Sequence, residues 1–252
     1  MSLRLGYCIV SISPVRAEKR DASEMITQLL FGEVITIEEI ESPWCKITTY
    51  SDNYSGYIDL KHVHFLSEKE KNRWLDGLSY EKKIIRKLET PWGIQSIFRG
   101  SFIPYGNTKE FNIGKDHFKF IENTPNINFT SIVDLALEFI NTPYLWGGKT
   151  PFGIDCSGLT QTVYRFFGIN LPRDAAQQID YGETVDFDDI EPADLAFFTN
   201  KDLKIIHVGI IDGFGSIIHA SGAVRKDKLT KDGIIHSETG WQTHQLHAIK
   251  RI

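Results

Sequence analysis

Gly153-Ile154-Asp155-Cys156-Ser157-Gly158-Leu159 places a thiol where a helix-periodic apolar run begins. From Cys156 onward, Leu159, Val163, Phe166 and Phe167 recur at helical spacing, and Gly168 sits where a helix-ending glycine belongs. Cys156 therefore falls in a first helical turn. Backbone N–H groups are unpaired there and the helix dipole favours an anion, so the thiol pKa is expected to fall and the thiolate fraction to rise. The same N–H groups could hold an oxyanion formed during attack on an amide. Upstream, residues 130–141 have helix periodicity, with Ile132, Leu135, Ala136, Phe139 and Ile140 on one face, Thr130 or Ser131 as cap and Pro143 as stop. Strands are expected at 195–198, 205–211 and 216–220. Helices followed by a meander describe an α+β domain, spanning 126–252.

A thiolate nucleophile needs a base within hydrogen-bond reach. Strand alternation puts His207, Gly209 and Ile211 on one face. A three-residue loop centred on Gly213 would pair Ile211 with Gly215, Gly209 with Ile217, and His207 with His219. Directly opposed residues share a face with Cβ atoms about 4.5–5.5 Å apart, so the hairpin would set two imidazoles side by side. His219 would then orient His207 and fix its tautomer. Just upstream, Tyr144-Leu145-Trp146-Gly147-Gly148 offers a hydroxyl for the oxyanion and two glycines that admit a substrate backbone. Cys8 and Cys45, each inside an apolar strand run, read as small buried hydrophobes. His62, His64, His117, His236, His244 and His247 read as surface or core residues. A zinc site built from His207, His219 and Cys156 would leave the acid–base logic unused, so no metal and no cofactor are expected.

Residues 1–65 read as short strands separated by turns, which suggests a small barrel. Residues 66–125 read as a second all-β unit punctuated by Gly93, Gly100, Gly106 and Gly114. The charged stretch 67–78 between them reads as a linker or short helix. Across 252 residues, 41% hydrophobic and 24% charged content is ordinary for a globular chain, and a formal charge of −5 gives no basic footprint for nucleic acid or a membrane surface. No run approaches the ~18 apolar residues of a membrane span. Residues 1–14 carry one Arg before a short, polar stretch without a small-residue cleavage site, so they read as a strand and a cytoplasmic location is expected. Three widely spaced cysteines argue against a disulfide scaffold and fit a reducing compartment.

The C-terminal motifs resemble the NlpC/P60 peptidases. The matching pieces are Thr142-Pro143-Tyr144-Leu145-Trp146-Gly147-Gly148, then Gly153 to Leu159, then Leu171-Pro172-Arg173-Asp174-Ala175-Ala176-Gln177-Gln178. Pro192-Ala193-Asp194-Leu195, His207-Val208-Gly209-Ile210 and Ile218-His219-Ala220 complete an ordered set over about 80 residues. The resemblance implies a papain-like fold with a Cys156–His207–His219 triad and Tyr144 at the oxyanion site. The N-terminal blocks resemble bacterial SH3-type barrels, one or two in number. Together they are most similar to a subgroup that cleaves the bond between γ-D-glutamate and the next diamino acid in murein peptides bearing a free N-terminal L-alanine. The resemblance implies that Asp155 and Ser157 contact the D-glutamyl part and that Glu24 and Tyr54, or Tyr57 in its place, contact the amine. Ala175 departs from relatives with a hydroxyl residue there. Two other classes remain open. One is a non-catalytic binder of wall fragments. The other is a different acyl-transfer enzyme, such as a lipid acyltransferase, which would want an apolar tunnel or membrane-facing surface.

Overall fold

A computed structural model describes residues 4–106, 108–123 and 127–252. The chain forms two compact units, Met1–Ile127 and Asn128–Ile252. The boundary expected at 125/126 lies outside the described residues.

In the first unit, β1 (Arg4–Cys8), β2 (Ile12–Arg16), β3 (Met25–Leu30), β4 (Val34–Glu41), β5 (Trp44–Thr49), β6 (Ser55–Asp59) and β7 (Val63–Leu66) form one antiparallel sheet in the order β3-β2-β6-β5-β4-β1-β7. Alternation buries Cys8, Val15, Ile35, Cys45, Ile47 and Ile58 inside it. Helix α1 (Glu68–Leu75) follows, opened by a capping box between Ser67 and Glu70, so the charged stretch is a helix. Strands β8 (Leu78–Tyr80), β9 (Ile85–Thr90), β10 (Gly93–Phe98), β11 (Phe102–Pro104), β12 (Glu110–Ile113) and β13 (Asp116–Phe120) complete the unit. The second block shares its core with the first: Tyr7, Phe31 and Val34 pack with Trp74, Leu88, Phe111 and Phe118. No break between compact units falls at residue 65.

The second unit opens with α2 (Ile132–Leu137), the short pair β14 (Lys149–Thr150) and β15 (Gly153–Ile154), α3 (Cys156–Arg165) and α4 (Ala175–Gln178). Then come β16 (Glu183–Thr184), β17 (Leu195–Thr199), β18 (Ile205–Ile211), β19 (Ser216–Ser221), β20 (Ala223–Thr230), β21 (Gly233–Ile235) and β22 (Gln242–Arg251). Their order is β16-β22-β17-β18-β19-β20-β21, and β22 also pairs with β21, so six strands close on themselves. Alternation then gives the sheet two cores. Leu195, Phe197, Val208, Ile210, Ile218 and Val224 face outward onto α2 and α3. Ala196, Phe198, Ile211, Ile217, Leu229, Ile234 and Ile249 fill the interior. No described helix is long and apolar enough to cross a membrane.

The β18–β19 hairpin departs from the expected register. Ile211 pairs with Ile217 and Ile210 with Ile218, two residues further along β19 than a loop centred on Gly213 would give. Asp212 is the reason. Its backbone N–H donates to Ser216 O at 3.1 Å, and its Oδ1 accepts from Phe214 N and Ser216 N at 2.8 and 3.1 Å. The turn is thus centred on Phe214, with Gly213 and Gly215 both at positive φ beside it. Because the displacement is an even number of residues, His207 and His219 still share a face. They are now diagonal, and continuing the register sets Gly209 opposite His219. A Cβ at Gly209 would lie 2.9 Å from the His219 Cβ and 2.7 Å from the Ile217 side chain. The bare glycine gives the His219 side chain the room it occupies beside His207.

Candidate active site

Helix α3, which carries Cys156, is fixed by its cap. Asp155 precedes α3 in extended conformation, and its Oδ1 accepts from Gly158 N at 2.6 Å. Oδ2 accepts from Gly147 N at 2.8 Å, which ties the 144–148 loop to the helix start. Arg173 forks onto both oxygens, at 3.0 Å to Oδ1 and 2.5 Å to Oδ2, and also donates to Ser157 Oγ at 2.9 Å. Side-chain exposure is 1% for Arg173 and 7% for Asp155. The loop itself is laced on both sides: Tyr144 N donates to Gly222 O at 2.9 Å, and Leu145 N to Ile154 O at 3.1 Å.

Gly158 is required where it stands. A Cβ there would lie 2.2 Å from the Gly148 backbone oxygen. Exchanging glycine for alanine inside a helix normally gains about 1 kcal/mol. At this close approach, Gly158→Ala is instead expected to cost about 1–3 kcal/mol from overpacking. Thermal unfolding of the variant measures which effect wins.

The histidines lie at one end of the closed sheet's interior, where the apolar filling gives way to polar groups. His207 Nε2 and His219 Nδ1 are 2.8 Å apart, with ring centroids at 5.0 Å and planes at 84°. His219 Nε2 lies 3.1 Å from Asp227 Oδ2. Arg225 Nε donates to the same oxygen at 2.8 Å, and Ser237 N donates to Asp227 Oδ1 at 2.8 Å. His244 stacks on His207 at 4.2 Å. Cys156 packs in the outer core with Val208, the residue after His207, and the Val208 N–H is directed at its sulfur. Nε2 of His207 is thus the nitrogen that faces His219.

Electrostatics favour an uncharged resting pair. Burial, then the Asp155 carboxylate, push the Cys156 thiol up to about 11 against the N–H groups of Val208 and Ser157 and the Arg173 guanidinium. The downward pull expected from the helix start is present, but burial outweighs it. Burial, then His244 and His219, hold the His207 imidazole well below its ordinary value. Burial brings His219 down to about 4 although Asp227 opposes it. Burial raises the Asp227 carboxyl, but the Ser237 N–H, Arg225 and His219 more than compensate and bring it to about 2. Tyr144 is raised to about 12 by burial, then by Cys156 and Asp155, which puts its ring within the field of the sulfur.

The structure thus gathers Cys156, Tyr144, His207, His219, Asp155 and Ser157 in one unit. Asp155 and Ser157, expected as substrate contacts, are already engaged: both Asp155 oxygens have partners, and Ser157 Oγ is held by Arg173. Their visible work is positioning. Ala175 is buried at the start of α4. Glu24 and Tyr54 belong to the other unit, Glu24 exposed just before β3 and Tyr54 half-buried in the β5–β6 turn with its N–H on Thr49 Oγ1 at 2.8 Å. Tyr57 lies on β6 opposite Lys46. Sequence reasoning missed three residues. Arg173 was visible only as part of a motif. Asp227 could have been found from the alternation Arg225-x-Asp227, which points both side chains to one face. His244, expected as a surface or core residue, lies against His207 because β22 closes the sheet. Among the described residues, no group of three or more His, Cys, Asp or Glu could hold a metal ion.

Residues 141–250 match the NlpC/P60 family, and residues 15–63 match the bacterial dipeptidyl-peptidase Sh3 domain. The chain is 25% identical over 238 residues to a gamma-D-glutamyl-L-lysine dipeptidyl-peptidase of Bacillus cereus, covering 81% of this chain and 70% of that protein. It is 36% identical over 115 residues to the probable endopeptidase NlpC of Escherichia coli, covering 45% of this chain and 75% of that protein. A crystal structure of an NlpC/P60 family protein from Bacillus cereus superposes with a TM-score of 0.78 at 19% identity, over 98% of this chain and 99% of that one, a likeness of fold. A helix-borne cysteine packed on a histidine-bearing sheet defines the class, a papain-like α+β domain preceded by an SH3-like all-β domain. The chain belongs to the NlpC/P60 family. Family and peptidase-named relatives together support a hydrolase.

Proposed function

We propose that the protein is a cysteine peptidase hydrolysing the bond between γ-D-glutamate and the next diamino acid in peptides derived from bacterial cell wall. The observation that carries this reading is the line of His207, His219 and Asp227, its imidazoles 2.8 Å apart, beside a Cys156 whose sulfur meets the N–H of Val208, the residue after His207. His207 Nδ1 takes the thiol proton as Sγ attacks the carbonyl carbon. The Cys156 N–H and the Tyr144 hydroxyl hold the tetrahedral oxyanion. The C–N bond then breaks as His207 returns the proton to the leaving amine. Water, deprotonated by His207, releases the γ-D-glutamyl product and restores the thiol. The name of the Bacillus cereus relative, a gamma-D-glutamyl-L-lysine dipeptidyl-peptidase, supports a substrate of this class. Recognition of a free L-alanine amine by Glu24 and Tyr54, and action in the cytoplasm on recycled fragments, belong to the same reading and rest on the resemblance.

The test uses L-Ala-γ-D-Glu-diaminopimelate, its lysine counterpart, and N-acetylated forms of both, with products read by mass spectrometry. Cleavage of the free peptides and sparing of the blocked ones is expected. Equal cleavage of both forms would remove the amine requirement. Binding without cleavage of any would make the chain a wall-fragment binder and end the peptidase reading.

A further inference from the structure

We infer that Asp227 is a positioning residue that selects the catalytically competent tautomer of His207, acting through His219 across the end of the closed sheet. The inference rests on the cysteine peptidase reading for its consequence, but its geometry stands on four contacts, those of Asp227 with Arg225, Ser237 and His219 and that of His219 with His207.

Each neutral imidazole has one N–H and one lone pair, and which nitrogen carries the proton is set by its partner. Asp227 is ionised and only accepts, its two oxygens receiving Arg225 Nε and Ser237 N at 2.8 Å each. Its side chain is 1% exposed, so no water exchange relaxes this polarity. Facing an acceptor at 3.1 Å, His219 Nε2 must carry its proton. A neutral His219 then has a lone pair on Nδ1. Across the 2.8 Å contact, His207 Nε2 must therefore be the donor. That leaves a lone pair on His207 Nδ1, the form able to take the thiol proton. When it does, the bond between the two rings survives with its direction unchanged, and the new cation faces an imidazole polarised by a carboxylate.

Without the carboxylate the opposite arrangement becomes available. His219 would donate from Nδ1, His207 Nε2 would accept, and His207 Nδ1 would carry a hydrogen toward the thiol. That form cannot act as base. The downward shifts of both imidazoles, caused first by burial, favour neutral rings in which this choice matters. His244, stacked on His207, bonds instead to Thr243 Oγ1 through Nδ1 at 2.9 Å and does not enter the relay.

The first readout needs no substrate. Long-range proton–nitrogen NMR of histidine-labelled protein near neutral pH distinguishes a protonated from a bare ring nitrogen. Both His207 and His219 are expected as the Nε2–H form. An Nδ1–H signature for either would overturn the inference even if the enzyme is active. The second readout is kinetic. Asp227→Asn, whose amide can donate or accept, is expected to lower kcat by about 10²-fold or more with little change in KM. His219→Asn supplies a carbonyl that can hold the His207 Nε2–H whatever lies behind it. In that background Asp227→Asn should cost less than about threefold. An equal loss in both backgrounds would mean a merely structural carboxylate. Should Asp227→Asn fail to fold, the wild-type spectrum still decides. Correct tautomers in a protein that cleaves no wall peptide would leave the inference standing and remove the peptidase reading instead.

Discussion

Cys156→Ala is expected to abolish peptide turnover, by about 10⁴-fold or more in kcat, while leaving the fold and peptide binding in place. The size follows from the roles. Under the proposed reaction, removing the sulfur removes the atom that would form the acyl intermediate, and water at that point has no equivalent activation. The His207–His219–Asp227 line would remain assembled, because its contacts do not pass through the thiol. Stability should barely move. Cys156 is a small side chain in the outer core with Leu159 and Val208, and alanine keeps its Cβ and the Asp155 cap. Losing one buried sulfur costs on the order of 1 kcal/mol. The variant should therefore melt within a few degrees of the parent and bind L-Ala-γ-D-Glu-diaminopimelate by calorimetry without cleaving it. Residual turnover within tenfold of the parent would place the nucleophile elsewhere. With the thiol pushed up to about 11 and the His207 imidazole pushed down, both groups rest uncharged near neutral pH, so the proposed reaction requires the thiolate to form as its proton leaves for His207.

Much of this arrangement was legible in local sequence, and what was not lay in closure and side-chain polarity. The helix over 156–167 was visible because its apolar period and terminal glycine agree, and the observed α3 spans Cys156–Arg165. The strands carrying His207 and His219 were visible from alternation and turn glycines. The register was not, because two glycines, Gly213 and Gly215, both suit a turn centre, and only the Asp212 carboxylate bonding to Phe214 N and Ser216 N decides between them. The shared face survived because the error was an even number of residues. His244 escaped notice because it comes from β22, a strand brought to the site by closure of the sheet, a long-range event with no local signature, whereas Asp227 lies on β20, the hairpin partner of β19, where alternation could have found it. The packing of the second block onto the first sheet escaped notice for a similar reason. Phe31 from the first sheet and Phe118 from the second meet edge-to-face with centroids 5.2 Å apart, a contact that spacing along the chain does not reveal.

Arg173→Leu is expected to be the most damaging change in the catalytic unit outside the triad, and the reason separates positioning from substrate contact at Asp155. In the parent, Asp155 is one carboxylate doing three jobs: it caps α3 through Gly158 N, holds the loop through Gly147 N, and receives the fork of Arg173. Removing the guanidinium leaves a buried carboxylate without its counter-charge, which costs about 3–5 kcal/mol. It also removes the Arg173 donor from Ser157 Oγ, next to Cys156. A fall in melting temperature on the order of 10 °C is expected, with a large loss of kcat as the loop bearing Tyr144 slackens. Asp155→Asn should be milder, since asparagine caps a helix nearly as well as aspartate and carries no charge to strand. The two changes are expected to couple: Asp155→Asn with Arg173→Leu should be more stable than Arg173→Leu alone, because the double variant has no unpaired buried charge. The cycle reads this directly by thermal or denaturant unfolding. Additive losses would mean that Arg173 acts apart from Asp155, and the carboxylate would then be available to substrate after all.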